Sequence, residues 1–199
     1  IKHRFILNRV VMIIFFFPFL MDENDVFLES EVEFQNKKGN KCYGVRASDK
    51  TPLHFLKNQD TLYVVAHGNT SVIGTGSKTG PTLTPRQLAI LLLERRLPKN
   101  FVDIRILSCN SGIHSKTPAF AQQLKEIMVD YGYKSLIVTG YLGEIDISRY
   151  WRLRNIDTID FYATHKKGII PHESYLNEQK KTLCNSELKF SLSDFKKKF

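Results

Sequence analysis

Runs of apolar residues and the turns between them divide this chain into short segments. Residues 10–21, VVMIIFFFPFLM, are almost uninterruptedly apolar and stand behind Lys2, Arg4 and Arg9. The run is too short for a membrane-spanning helix, which needs about 20 residues. It has the layout of the basic and hydrophobic regions of a signal peptide, but no A-x-A-like cleavage site follows. A buried strand, or upstream sequence translated ahead of a start at Met21, fits it equally. Next, FLESEVEF alternates, NKKGNK turns and KCYGVRA returns, which predicts a hairpin within residues 22–60.

From Leu62 the pattern sharpens. LYVVA predicts a strand ending at His67-Gly68, followed by a loop rich in Gly, Thr and Ser. Thr84 and Pro85 suit an N-cap and a first helical turn. PRQLAILLLERR continues with helical apolar spacing, its last turn is basic, and Pro98 closes it. VDIRILS predicts a second strand, ending at Cys109. PAFAQQLKEIMVDYG predicts an amphipathic helix stopped by Gly132, and SLIVTGY a third strand. Beyond it, RYWRLRN and IDFYATHKKGII suit further strands or a flap.

Strand, helix, strand, helix, strand over about 62–141 implies parallel strands with helices on the sheet faces. The expected fold is a three-layer α/β domain with a mostly parallel central sheet and flanking helices. It is expected over 22–190, between the apolar segment 1–21 and a basic tail, 191–199. A chain of 199 residues, 42% hydrophobic and 25% charged, suits one such domain. The net charge of +9 favours acidic partners. Part of it lies in Lys180-Lys181 and Lys196-Lys197-Lys198, which are expected to be solvated or frayed, so the folded domain is less basic than the total. Neither a nucleic-acid partner nor a stable membrane span is expected.

Cys42, Cys109 and Cys184 are too sparse for a disulfide framework and form no CxxC pair, so no metal site is expected and the working thiol stays reduced. In a parallel α/β sheet, ligands bind beyond the carboxyl ends of the strands. His67 and Cys109 each follow a strand and stand 42 positions apart, room for a loop, a helix and a return. Both should emerge at one sheet edge. A cysteine thiolate is strongly nucleophilic, and a nearby histidine moves protons, which together suit acyl transfer. Gly68 leaves room for a substrate carbonyl, and its N–H, with that of Cys109, suits an oxyanion hole.

LYVVAHG, TPRQLAILL, VDIRILSCNSG and SLIVTGYLGEIDI, in that order over roughly 60–150, resemble the caspase-like (clan CD) cysteine peptidases. They are most similar to the cysteine-protease domains of large clostridial glucosylating toxins and of MARTX toxins. The resemblance implies a caspase-like fold and a cysteine endopeptidase, a thiol protease and hydrolase, with His67 and Cys109 as catalytic residues. It implies that the strand SLIVTGYLGEI lines the P1 pocket, with Ser108, Gly140, Tyr141 and Glu144. It also implies a secreted or delivered bacterial toxin or effector, a virulence factor that cuts after leucine and undergoes autoprocessing. Such a protein works in a host cytosol, where inositol hexakisphosphate activates it; the chemistry itself requires no cofactor. Arg149, Arg152, Arg154, Lys166 and Lys167 are the candidates to hold that polyanion. The family's acidic residue upstream of the histidine has Asp49 and Asp60 as candidates.

Each feature also has a plainer reading. Cys109 can be an inert buried thiol, His67 a packing histidine, and the cluster from Arg149 to Lys167 a solvated face. GTGSKTG, residues 74–80, lacks the ending of a phosphate loop and reads rather as a mobile substrate-side loop. His114, His165 and His172 lack ligand spacing. The alternatives are a catalytically inactive module on the same scaffold that binds a phosphorylated ligand or a protein partner, and a CHAT-type peptidase domain regulated by a partner.

Overall fold

The structure is a computed structural model that describes residues 10–145, 159–160, 169–171, 189–190 and 196–199. In chain order the elements are β1 (Met12–Phe17), α1 (Glu23–Lys37), β2 (Lys41–Arg46), a 3₁₀ turn (Ala47–Asp49), β3 (Thr61–Val65), β4 (His67–Gly68), β5 (Ile73–Gly74), β6 (Thr82–Leu83), α2 (Pro85–Glu94), β7 (Asp103–Leu107), α3 (Phe120–Asp130), β8 (Ile137–Tyr141), β9 (Gly143–Ile145), β10 (Ile159–Asp160), β11 (Ile169–Pro171), β12 (Lys189–Phe190) and β13 (Lys196–Lys198).

The apolar run builds β1. All side chains from Ile13 to Phe17 are buried, as a strand apolar on both faces requires. β1 lies between β2 and β3 and is parallel to both. Asp60 pins its start: Oδ1 accepts from the Met12 N–H at 3.0 Å, and Oδ2 from the Lys57 N–H at 2.8 Å. Residues 12–17 are thus a core strand, and a boundary at 21–22 separates it from the helix that follows.

The expected hairpin within 22–60 is instead a helix and a parallel strand. Asn24, Phe27, Glu31 and Gln35 form the buried stripe of α1, at helical spacing. Three of the four are polar, so hydrophobic periodicity is weak and local alternation imitates a strand. The end signals are those of a helix: Glu23 and Asp25 lie in the first turn, Lys37 in the last, and Gly39 just beyond takes φ +75°.

The main sheet runs β13-β8-β7-β3-β1-β2, with every pair parallel except β13 on β8. The chain steps from β1 outward to β2, then returns past β1 to β3, β7 and β8. That reversal puts the topological switch point between β1 and β3. Helices cover both faces. Phe27 of α1 meets Phe15 edge-on at 5.1 Å, and Phe15 stacks on Tyr63 at 4.9 Å. On the other face Leu88, Leu92, Phe120, Leu124 and Met128 pack with Phe16, Val64, Ile104 and Ile106. The expected three-layer α/β architecture is therefore present. Thr84 accepts from the Gln87 N–H and completes a capping box at α2.

The basic tail is paired rather than frayed. Lys196, Lys197 and Lys198 oppose Tyr141, Gly140 and Thr139, and the Phe199 N–H donates to the Val138 carbonyl at 3.0 Å. Lysines on this strand deter pairing with another chain. Of the two later segments expected to form strands or a flap, IDFYATHKKGII carries β10 and the start of β11, and RYWRLRN lies outside the described residues. Among the described residues, no helix is long and apolar enough to cross a membrane.

Tyr133 closes the core behind α3. Its hydroxyl donates to the Leu97 carbonyl at 2.7 Å, and burial pushes the phenol up to about 12. An unfolded tyrosine ionises near pH 10. Between these values the unfolded chain loses a proton that the folded chain keeps, so stability falls as pH rises. Tyr133→Phe is expected to cost about 1 kcal/mol at neutral pH and to make that alkaline fall shallower. Urea midpoints measured on both sides of the tyrosine pKa check this.

Candidate active site

β3 and β7 are parallel neighbours in register from Thr61↔Asp103 to Val65↔Leu107. Each chain runs two residues further, one to His67 and the other to Cys109. Equal overrun on adjacent strands brings both residues to one level at one sheet edge, about 4.8 Å being the spacing of neighbouring strands. Side-chain alternation puts His67 on the face of Tyr63 and Val65, and Cys109 on that of Leu107. This is the face that carries α1, at the strand ends next to the switch point.

The start of α1 supplies a residue that sequence reasoning missed. Glu23 Oε1 lies 2.7 Å from His67 Nε2, and both side chains are about two-fifths exposed. A carboxylate only accepts, so the proton on this edge of the ring belongs to Nε2. Nδ1 is left for proton exchange elsewhere. Asp60 and Asp49, the sequence candidates for an acidic partner, do neither. Asp60 precedes β3, at the opposite end of the strand from His67, where it holds main-chain amides. Asp49 closes the 3₁₀ turn after β2, and its Oδ1 accepts from the Ser48 hydroxyl at 3.2 Å. The missed signal was the acidic first turn of a helix directly behind a buried strand.

His67 and Gly68 open a small antiparallel sheet, β4-β5-β6. The Asn69 N–H donates to the Val72 carbonyl at 3.0 Å, and Asn69 Oδ1 accepts from the Ser71 and Val72 N–H groups. Asn69 and Val72 thus form a hydrogen-bonded pair, which makes Gly68↔Ile73 a non-bonded one. The Gly68 N–H therefore points away from β5. Gly68 itself sits in a slot: a Cβ there would lie 2.2 Å from Ser108 Oγ and 2.8 Å from the Val72 carbonyl oxygen. Gly76, at φ +82°, lies against the imidazole, where a Cβ would come within 2.8 Å of Cδ2. The segment 74–80 thus flanks the histidine. Gly68, Gly74 and Gly76, with Asn69, Ser77 and Thr82, line a cavity of about 360 Å³ beside His67.

Cys109 lies in a tight turn. Asn110 follows at φ +56° and donates its N–H to the Gly143 carbonyl at 2.8 Å. The Ser111 hydroxyl donates to the Ile106 carbonyl (2.9 Å) and accepts from the Tyr141 N–H (3.0 Å), tying the turn to β7 and β8. Gly112 and Gly140 pack backbone to backbone; a Cβ on Gly140 would come within 2.6 Å of Gly112. The Ile145 N–H reaches Cys109 Sγ at 3.2 Å, and the thiol faces the Ile145 carbonyl at 3.6 Å. An amide N–H aimed at sulfur stabilises negative charge there. Cys42 is buried in the core, whereas Cys109 is partly exposed.

Of the expected pocket residues, Ser108 is buried under the β4–β5 hairpin, and Gly140 backs onto Gly112. Tyr141 is fully buried among Phe15, Phe17, Val65 and Leu107. Glu144 lies on β9, whose backbone pairs with β11. The polyanion candidates Arg149, Arg152, Arg154, Lys166 and Lys167 lie outside the described residues, as do His165, His172 and Cys184. His114 rests near the Phe199 ring, at 6.1 Å. Among the described residues, no three His, Cys, Asp or Glu side chains gather as a metal ion would need.

The profile of a family described as a domain of unknown function (DUF8616) matches residues 45–135. The chain is similar to that family from the end of β2 to just past α3. The stretch holds His67, Gly68, Ser108 and Cys109, and leaves Glu23 and β8 outside. No curated protein matches the chain.

Proposed function

We propose that the chain is a cysteine endopeptidase of the caspase-like kind, with Cys109 as nucleophile, His67 as acid and base, and Glu23 as the group that orients the histidine. The observation that carries this reading is the Glu23–His67 contact of 2.7 Å, made where the chain leaves β3 level with its exit from β7 toward Cys109. The Cys109 thiolate attacks a peptide carbonyl, forming a C–S bond and a tetrahedral oxyanion. The Gly68 N–H, directed out of its hairpin, faces that charge together with the amide of Cys109. As the C–N bond breaks, His67 protonates the leaving amine. It then takes a proton from water, which attacks the thioester and frees the enzyme. Glu23 holds the ring through Nε2 at each stage.

Leucine at P1, activation by inositol hexakisphosphate and a role as a delivered bacterial effector that processes its own polypeptide belong to the same reading. The resemblance of the strand around Gly140 and Glu144 supports the first, and the basic residues from Arg149 to Lys167 the second. A peptide-library profile that favours acidic or basic P1 residues would remove the first. Calorimetry without binding of inositol hexakisphosphate would remove the second.

The central test is a leucine-directed peptidyl electrophile, added with and without inositol hexakisphosphate, with adducts mapped by mass spectrometry. Cys109 is expected to be labelled ahead of Cys42 and Cys184, and at least tenfold more slowly in His67→Ala, since thiolate character sets reactivity. Folded protein that leaves Cys109 unlabelled under both conditions would point to a non-catalytic binding module instead.

A further inference from the structure

The turn that carries Cys109 contains two serines in opposite circumstances. Ser111 is satisfied twice, as donor to Ile106 and as acceptor from Tyr141. Ser108 is 1% exposed, and among the described residues its Oγ has no hydrogen-bond partner. A buried hydroxyl without a partner lowers stability compared with a methyl group in the same place. Folding alone therefore favours alanine at 108. The neighbour that gives the hydroxyl a purpose is Gly68. The space beside its Cα, where a side chain would begin, is closed by Ser108 Oγ, the Val72 carbonyl and Ile73 Cα. A Cβ built on Gly68 would meet these atoms at 2.2, 2.8 and 3.3 Å. The hydroxyl oxygen thus rests directly against the main chain of the residue after His67.

We infer that Ser108 is a positioning residue for the oxyanion-stabilising amide. It touches no substrate and acts through Gly68. Its oxygen packs against the Gly68 main chain beside the Val72 carbonyl and so holds the N–H in line with the carbonyl that Cys109 attacks. This rests on the cysteine-peptidase reading and adds to it the residue that sets the geometry of the hole. Replacing the hydroxyl by hydrogen opens space toward which Gly68 relaxes. A shift of under an ångström at such a group lowers turnover by roughly 10- to 100-fold. Ground-state binding, made elsewhere in the cleft, is untouched.

The test is Ser108→Ala in the full chain, assayed on a fluorogenic peptide that the unmodified protein selects from a library. Turnover, KM, thermal midpoint and the rate of Cys109 alkylation by iodoacetamide are measured together, the last because alkylation forms no oxyanion. The expected result is kcat lower by about tenfold or more, with KM unchanged, the midpoint unchanged or raised, and alkylation unaffected. Unchanged kcat in active, folded variant would overturn the inference and leave the peptidase reading standing. So would a loss of kcat that comes with a lowered midpoint and slower alkylation, since that marks a purely structural serine. Unmodified protein that cleaves no library peptide and is not labelled at Cys109 would remove the peptidase reading, and this inference with it.

Discussion

Gly68→Ala is expected to lower kcat/KM for peptide cleavage by about 10³-fold or more. The new carbon would lie 2.2 Å from Ser108 Oγ, 2.8 Å from the Val72 carbonyl oxygen and 3.3 Å from Ile73 Cα. The latter two are backbone atoms of Val72 and Ile73, where the chain enters β5, so no side-chain rotation relieves them. The hairpin has to open between Gly68 and the Val72–Ile73 main chain, displacing the Gly68 N–H and the neighbouring His67. Overpacking of this kind costs about 1–3 kcal/mol, so the variant is expected to fold with a lowered thermal midpoint. The double variant Gly68→Ala/Ser108→Gly removes the nearest clash and is expected to regain part of that midpoint. Activity stays low, because the Val72 carbonyl still stands in the way. A Gly68→Ala protein with ordinary turnover would exclude Gly68 from the reaction centre. Steady-state kinetics beside a thermal melt reads both quantities.

The second large effect is expected at Glu23. Glu23→Gln keeps the length of the side chain and an acceptor for His67 Nε2, but removes the negative charge beside the ring. Peptide turnover is expected to fall by about 10²-fold, the scale of an acid–base contribution. Stability is expected to change little, because the pair is partly solvated and exposed ion pairs contribute about 0–1 kcal/mol. Kinetics and folding are thereby separated. Asp49→Asn, on the 3₁₀ turn after β2, is the control and is expected to retain turnover. Equal losses in both variants would show a general electrostatic effect rather than a specific partner of His67. Asp60 is a poor control, because its carboxylate holds the Met12 and Lys57 amides and its loss would damage the sheet.

The contrast between α1 and α2 shows what local pattern can carry. α2 buries Leu88, Ala89 and Leu92, opens on Thr84-Pro85 and ends before Pro98, so period and caps agree. α1 buries Asn24, Glu31 and Gln35 beside Phe27. Its buried face is recognisable only once the face of β1 that it covers is known. Asn24 donates to the Phe19 carbonyl at 3.0 Å, and Gln35 holds Glu31 and Asn40, so the polar stripe is internally bonded rather than apolar. The local alternation that imitates a strand in α1 also hides Glu23, the first residue of that helix and the partner of His67.

Short-range information thus determined β3, β7 and β8, the helices between them, and the ends of two strands at His67 and Cys109. Runs of β-branched residues, helical spacing and caps act within a few residues, and a parallel order follows from their alternation. The tertiary structure alone decided the rest. It put β1 between β2 and β3, and it paired the lysine tail with β8 across more than fifty residues of chain. It brought Glu23 to His67, Ser108 to Gly68 and Gly112 to Gly140. None of these pairs is close in sequence. Each depends on which strand ends the sheet order makes neighbours, and on backbone approaches so tight that only glycine fits, a requirement that no local periodicity records.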